Sequence, residues 1–419
     1  LCKEKAETTD LAITVLIHKS YIKGIVSDYR ENMSYQPTVP LDKLPSHFIS
    51  HDTESHKKWH TGSVTRFASP FVDVFKDRID FDPIVMAHAT TLLGFTNRDF
   101  YESPEIAVHC VAYFNELFDL LPVAHFFYSN VFLEKYGVKL QTTNTLPWIA
   151  VGDRVVKSPE DADKLPKFEK EDLKPEKCKT TELHWRAFDY EKANIPDMML
   201  PMHNVFCLFS MAAELVGPEK FIIWTRKEPK ACHKVLDSLA YTSASGASLT
   251  ADKYGFDMMV IGSVLANSTV LPPKYVKEFS FDHQRDFVRR ALAGGGGPQL
   301  WYHLCGDHSR DYTIWKDVIT TPFTVMHIGY YGDDVFPSDL LKKEFGNRMS
   351  MLAVIDGKRM IEPNFAWIYE QSKKQLLGGR DAPRGCILGT TCETPLITNP
   401  GCTLAAVKAC KDYGTYGTW

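Results

Sequence analysis

The feature that most restricts how this chain folds is a series of short, continuously apolar runs set between longer segments of helical spacing. The runs are His203–Phe209, Phe256–Gly262 (FDMMVIG), Gln299–Cys305 (QLWYHLC), Pro322–Ile328 (PFTVMHI), Arg348–Ile355 (RMSMLAVI) and Gly385–Thr391. A run that is apolar on both faces suits a strand covered on both sides, as in a parallel sheet packed between helices. Helical spacing separates these runs over Met211–Val216, Glu219–Leu239 with a restart at Pro229, Pro272–Leu292, Glu362–Leu377 and Thr403–Tyr413. Such alternation predicts an α/β protein, and a single (β/α)8 TIM barrel is the reading preferred over a doubly wound sheet. No G-x-G-x-x-G follows a strand and no P-loop motif occurs; the Gly294–Gly297 run precedes a strand, the wrong context for cradling phosphate.

The front of the chain is harder to place. A helix is expected over Leu11–Tyr29, followed by a loop-like connection through Pro40, Pro45, His51, His56 and His60, whose histidines read as solvated surface. Helices are expected over Asp82–Leu93 and Ser103–Leu121, a short helix over Val131–Tyr136 and a strand over Val138–Thr143. Residues 1–81 are accordingly assigned to an N-terminal helical extension, a cap or dimer contact. Residues 82–419 form the barrel, with a charged, proline-containing insertion around 166–201.

Composition narrows the function. Of 419 residues, 48 are basic and 52 acidic, giving a net charge of -4, so the basic footprint of a nucleic-acid binder is missing. No run approaches the apolar length that spans a bilayer, and Leu1–Asp10 is too charged for the apolar part of a secretory signal. Ten cysteines are scattered without the dense spacing of a disulfide scaffold, which points to a reducing, cytoplasmic setting with thiols free to bind metal.

In a barrel the chemistry lies at the C-terminal ends of the strands. Side chains alternate along a strand, so His303 and Cys305 of HLCGD share a face, and Cys392 lies at the end of the last strand. One imidazole and two thiolates suit Zn²⁺ with an open fourth position. The same residues also read as a core histidine and two small buried thiols, and spacing alone does not choose. Around them, His327 closes PFTVMHI and could be a fourth ligand or bond a leaving oxygen. Asp307 could orient His303, Asp356 could act as acid or base or simply begin a turn, and Glu393 flanks Cys392. Tyr330, Tyr331 and Trp148 are candidates for contact with a flat ring.

HLCGD at His303–Asp307 and ILGTTCETP at Ile387–Pro395, with SMAAELVGPEKF at Ser210–Phe221 and the stretch Gly255–Phe279, resemble the uroporphyrinogen decarboxylase superfamily. Within it they look most like the zinc-dependent, corrinoid-linked methyltransferases, the branch of O-demethylases and methylcobamide:coenzyme M methyltransferases. The resemblance implies a (β/α)8 barrel, zinc held by His303, Cys305 and Cys392, a corrinoid carried by a partner protein, and a homodimer as the default. The arginine-bearing G-R-Y-x-P-E-Y motif of the decarboxylases has no counterpart here, and the T-G-P-F segment reads Leu208–Met211. The implied function is therefore methyl transfer from a methylated small molecule, a methoxylated aromatic being favoured, to the corrinoid. Transfer to coenzyme M, a decarboxylase-like lyase and a non-catalytic corrinoid-protein-binding subunit are the alternatives.

Overall fold

A computed structural model describes residues 54–417, apart from 73, 74, 76, 129, 130, 142–147, 150–153, 196–199 and 256. The apolar runs become strands of one sheet: β1 (Phe81–Ile84), β2 (Val123–Tyr128), β3 (Leu200–Phe206), β4 (Asp257–Ser263), β5 (Pro298–Asp307), β6 (Thr324–Tyr331), β7 (Ser350–Ile355) and β8 (Cys386–Glu393). Their order is β1-β8-β7-β6-β5-β4-β3-β2, every ladder between them is parallel, and Asp334–Val335 adds a short antiparallel hairpin to β6. This is the strand order of a TIM-like barrel. Among the described residues no ladder joins β1 to β2, the one pairing that a closed ring adds.

The sheet is strongly curled, as two sulfur atoms demonstrate. β5 and β8 are three ladder steps apart, which in a flat sheet means about 14 Å, yet Cys305 Sγ and Cys392 Sγ lie 3.2 Å from each other. Only a sheet bent toward its own C-terminal edges brings them together. Helices cover the outer face, among them Pro104–Phe118, Lys179–Asn194, Pro229–Tyr254, Asp282–Ala293, Phe365–Gly379 and Pro400–Tyr413. Leu304, pointing away from His303, is completely buried beneath this layer.

Several expectations shift. The helix expected over Asp82–Leu93 divides into strand β1 and the helix Met86–Leu92, because all four residues of β1 are buried and three of them, Phe81, Asp82 and Ile84, pair with β8. β2 was not anticipated. Of the strand expected over Val138–Thr143, Leu140–Gln141 pairs antiparallel with Trp148–Ile149 and lies outside the main sheet. The segment 166–201 carries the helix Lys179–Asn194, which lies between β2 and β3 in the chain and is clamped to the helix Pro104–Phe118 by Arg186 and Glu105 at 2.8 Å. The helix expected over Leu11–Tyr29 lies outside the described residues, as does His51. His60 falls in a helix, Glu54–Val72, instead of a loop.

At the N-terminal edge of the sheet, this first helix is tied down by charge. Arg66 and Arg78 both hold the buried Asp80 carboxylate, Arg66 Nη2 reaches Asp119 Oδ1 at 2.8 Å, and Lys411 Nζ reaches Asp119 Oδ2 at 3.0 Å. Trp59 Nε1 adds a bond to the carbonyl of Leu120 at 3.0 Å. No described helix is long and apolar enough to cross a membrane.

Candidate functional site

His303 and Cys305 lie near the C-terminal end of β5, and Cys392 near that of β8. The curl of the sheet turns them toward one point. Cys392 Sγ lies 3.8 Å from His303 Nε2 and 3.2 Å from Cys305 Sγ, and among the described residues these three form the only His, Cys, Asp or Glu group whose ligand atoms all fall within 4.8 Å of each other. Tetrahedral zinc with ordinary Zn–S and Zn–N bonds sets ligand atoms about 3.8 Å (S to S) and 3.6 Å (N to S) apart. The sulfur–imidazole separation of 3.8 Å lies close to this spacing, and the two sulfurs, at 3.2 Å, are about 0.6 Å nearer than a bound ion would set them. Donor set and geometry therefore fit zinc, with a fourth position left to a ligand. The S–H contact between the two sulfurs couples them: it draws the Cys305 thiol below the ordinary range and, with burial next in importance, pushes Cys392 far above it.

His327 is what orients His303. The two histidines face each other in the ladder between β5 and β6, and their Nδ1 atoms are 2.9 Å apart, leaving His303 Nε2 for the sulfurs. Burial, then the neighbouring His303, hold His327 well below the usual histidine range, so it stays neutral. Orientation of a ligand imidazole through its other nitrogen is the usual way a metal-site histidine is fixed. His327 Nδ1 is thereby engaged with the ring of His303.

Backbone shape supplies the rest. The β5–β6 register slips between Leu304 and Asp307, a bulge beside the cluster in which Gly306 has φ +89°. A Cβ there would stand 2.8 Å from Asn267 Nδ2, so only glycine both adopts this conformation and fits. Gly262 of β4 pairs with His303, and the space a side chain would fill there holds Cys207 Sγ. His308, fully buried, is bracketed by Asp311 at 2.7 Å and by the carbonyls of Ser263 and Cys305, each 3.2 Å away. It pins the backbone of Cys305 to the neighbouring strand.

The remaining predicted residues divide. Asp307 accepts backbone N–H groups of Ser309 and Gly332, both at 2.8 Å; partial burial would raise its carboxyl, but these bonds hold it below the usual range. It ties two loops, and His303 finds its orienting partner in His327 instead. Asp356 Oδ1 accepts the Tyr330 hydroxyl at 3.0 Å and the N–H of Lys358 at 3.0 Å, combining the turn reading with a contact to the rim. Tyr330 is pushed upward by burial, with Asp356 adding to it, and Thr391 bonds its oxygen at 3.1 Å. Tyr331 is 41% exposed and packs edge-on against Phe336, 5.7 Å between ring centres. Trp148 lies on the small two-stranded ladder; its side chain is outside what the structure describes.

Two features had no warning in the sequence, Cys207 and the pair Asp82–His125, whereas Glu393 was singled out beside Cys392. Cys207, just after β3, is a wholly buried thiol raised to about 12 by burial and then by Cys392. Phe126 of β2 packs outward on Phe100 and His184, so its neighbour His125 faces the inside of the sheet. There His125 Nε2 stands 3.4 Å from Asp82 Oδ1 on β1, while Asp82 Oδ2 and His125 Nδ1 have no hydrogen-bond partner in the structure. Glu393 is raised to about 8, first by burial and then by Cys392.

The pattern of the uroporphyrinogen decarboxylase (URO-D) family matches residues 85–413, which includes every strand after β1 and all three cluster residues. The chain belongs to the uroporphyrinogen decarboxylase family. Among solved structures, a methyltransferase from Methanosarcina mazei superposes with a TM-score of 0.66, covering 84% of this chain and 98% of that one at 15% identity. At that identity the likeness is one of fold. No curated protein matches the chain. Within the uroporphyrinogen decarboxylase family, then, function has to be argued from the cluster itself.

Proposed function

We propose that this chain is a zinc-dependent methyltransferase that takes a methyl group from a methylated small molecule, with a methoxylated aromatic favoured, to a corrinoid carried by a partner protein. The sheet is read as the (β/α)8 barrel of which seven ladders are formed, and the chain as a cytoplasmic protein able to pair with a second copy. The observation that carries the reading is the convergence of exactly one imidazole and two thiols from β5 and β8 on one point at the strand ends. Three donors with the fourth direction open belong to a catalytic metal, because a structural site would be closed by a fourth.

His303, Cys305 and Cys392 would hold the zinc, and bound there it supplies Lewis acidity toward an ether oxygen or lowers the pKa of a thiol. The chain's own residues set the scene. His327 keeps His303 in the ring orientation that leaves Nε2 free. His308 and the Gly306 bulge fix the path of Cys305, and Tyr330, with Asp356 and Thr391, forms a hydrogen-bonded post at the rim. Asp82 and His125 offer an unpaired carboxylate oxygen and an unpaired ring nitrogen inside the sheet. Leaving such atoms bare costs about 1–3 kcal/mol each, so they suit a polar group of the substrate. The ring of an aromatic donor would meet Tyr330 and Tyr331, and alignment of donor and acceptor, worth up to about 7–11 kcal/mol in well-oriented systems, is the main catalytic effect asked of the barrel.

The test is methyl transfer by the purified chain from a panel of methoxylated aromatics to a reduced corrinoid protein, followed by the absorbance change on methylation of cobalt. Turnover that vanishes in Cys305→Ala and Cys392→Ala supports the proposal. Turnover with coenzyme M and methylated corrinoid alone would reassign the chain to the thiol-methylating reaction, and turnover that survives loss of both thiols would contradict a metal mechanism.

A further inference from the structure

On the outer helical layer, in the two helical segments that follow β3 and β4, four side chains form a line that the reaction above does not use: Glu278, His233, His283 and Asp237. His233 Nε2 stands 3.3 Å from Glu278 Oε1, His233 Nδ1 stands 2.9 Å from His283 Nε2, and His283 Nδ1 stands 3.3 Å from Asp237 Oδ1. His233 and Asp237 are one turn apart on the helix Pro229–Tyr254, Glu278 lies in the π-helical turn Lys277–Phe281, and His283 in the helix Asp282–Ala293 that continues it. Phe279 stacks on the His233 ring at 4.8 Å and fixes its plane.

The line contains three close contacts between hydrogen-bonding atoms. Two neutral imidazoles carry only two N–H protons, and the carboxylates have none to give. If each ring turns its N–H to its carboxylate, the two bare lone pairs of His233 Nδ1 and His283 Nε2 face each other at 2.9 Å. Any other neutral arrangement sets a bare ring nitrogen against a carboxylate. A positive charge between the rings, a third proton or a metal ion, relieves all three contacts together. A metal ion in that place would satisfy both facing ring nitrogens at once. The carboxylate–imidazole pairs on either side are the arrangement that orients metal-binding histidines and strengthens them as donors. The π-helical turn that delivers Glu278 is a rare local insertion, of the kind that recurs at functional sites. His233 is 38% exposed in its side chain, so water can complete the coordination, while His283 is almost fully covered.

We propose that His233 Nδ1 and His283 Nε2 form a second metal site, selective for divalent ions that favour imidazole, such as Ni²⁺, Cu²⁺ or Zn²⁺. It links the two outer helices and is independent of the thiol cluster. Glu278 and Asp237 act through the histidines as positioning residues.

The test is calorimetric titration of the full chain with Ni²⁺ at pH 7.5, in the Cys305→Ser/Cys392→Ser background so that the thiol cluster does not contribute. One binding event per chain is expected there. It should weaken at least 100-fold in His233→Gln and about 10- to 100-fold in Asp237→Asn or Glu278→Gln, and fade at pH 5, where protons replace the metal. Circular dichroism confirms that each variant is folded, and His283→Gln provides a second route to the same loss. Absence of binding in the cysteine-free background, or binding unchanged in both histidine variants, would overturn the proposal. Because the background lacks the thiols, this result stands apart from the outcome of any test of the methyltransferase reading.

Discussion

His327 makes the sharpest residue-level prediction, because it touches the cluster only through His303. Replacing it with leucine should leave the protein folded and able to take up zinc at saturation, while zinc affinity falls about 10- to 100-fold; competition with a chromophoric chelator measures this. Unchanged affinity would remove His327 from the support of the site. Part of the cluster was legible at this scale in the sequence. His303 and Cys305 share a face by strand alternation alone, and Cys392 ends a strand that any barrel would bring to the same rim. The role of His327 was not legible, since it depends on the register of β5 against β6, which no local pattern encodes. The Asp82–His125 pair was hidden for a different reason: polar residues facing the inside of a sheet interrupt the apolar run that marks a strand. For the same reason the sequence pattern predicts helix over β1 and marks no strand at β2.

At the scale of the element, the bulge in β5 deserves a direct test. Gly306→Ala introduces a side chain at φ +89° and 2.8 Å from Asn267 Nδ2, so a loss of about 1–3 kcal/mol in stability is expected, together with weaker zinc binding because Cys305 is displaced. Urea denaturation of the wild type and the variant gives the first number. A second prediction concerns the charged anchor of the helix Glu54–Val72. Burial alone would raise the Asp119 carboxyl, but Arg66, Lys411 and Arg78 together hold it below the usual range. A carboxyl depressed in the folded state contributes stability that is complete above its unfolded pKa of about 3.9 and is lost as the pH falls through the folded value. Asp119→Asn should therefore lower stability near neutral pH and flatten the fall of stability below about pH 4, read from urea midpoints across pH 2.5–6. Removing the buried partner is harsher: Asp80→Ala strands two covered guanidinium groups and should cost about 3–5 kcal/mol. Nothing in the sequence announced this anchor, because its charges come from four separate segments.

For the whole molecule, the fold class follows from alternation of buried strands and helices, a signal spread over three hundred residues and robust to errors in any one element. What alternation leaves open is curvature, and curvature decides function here: the same strands in a flat sheet would hold Cys305 and Cys392 about 14 Å apart. The 3.2 Å separation of their sulfurs turns three scattered residues into a single donor set. This donor set is the proposed zinc site. Elemental analysis by inductively coupled plasma mass spectrometry, on protein passed through gel filtration in metal-free buffer, tests it most directly, with Cys392→Ala measured in parallel. About one retained zinc per wild-type chain and none in the variant is expected; wild-type protein without zinc, or a variant that keeps it, would contradict a zinc site at these three residues.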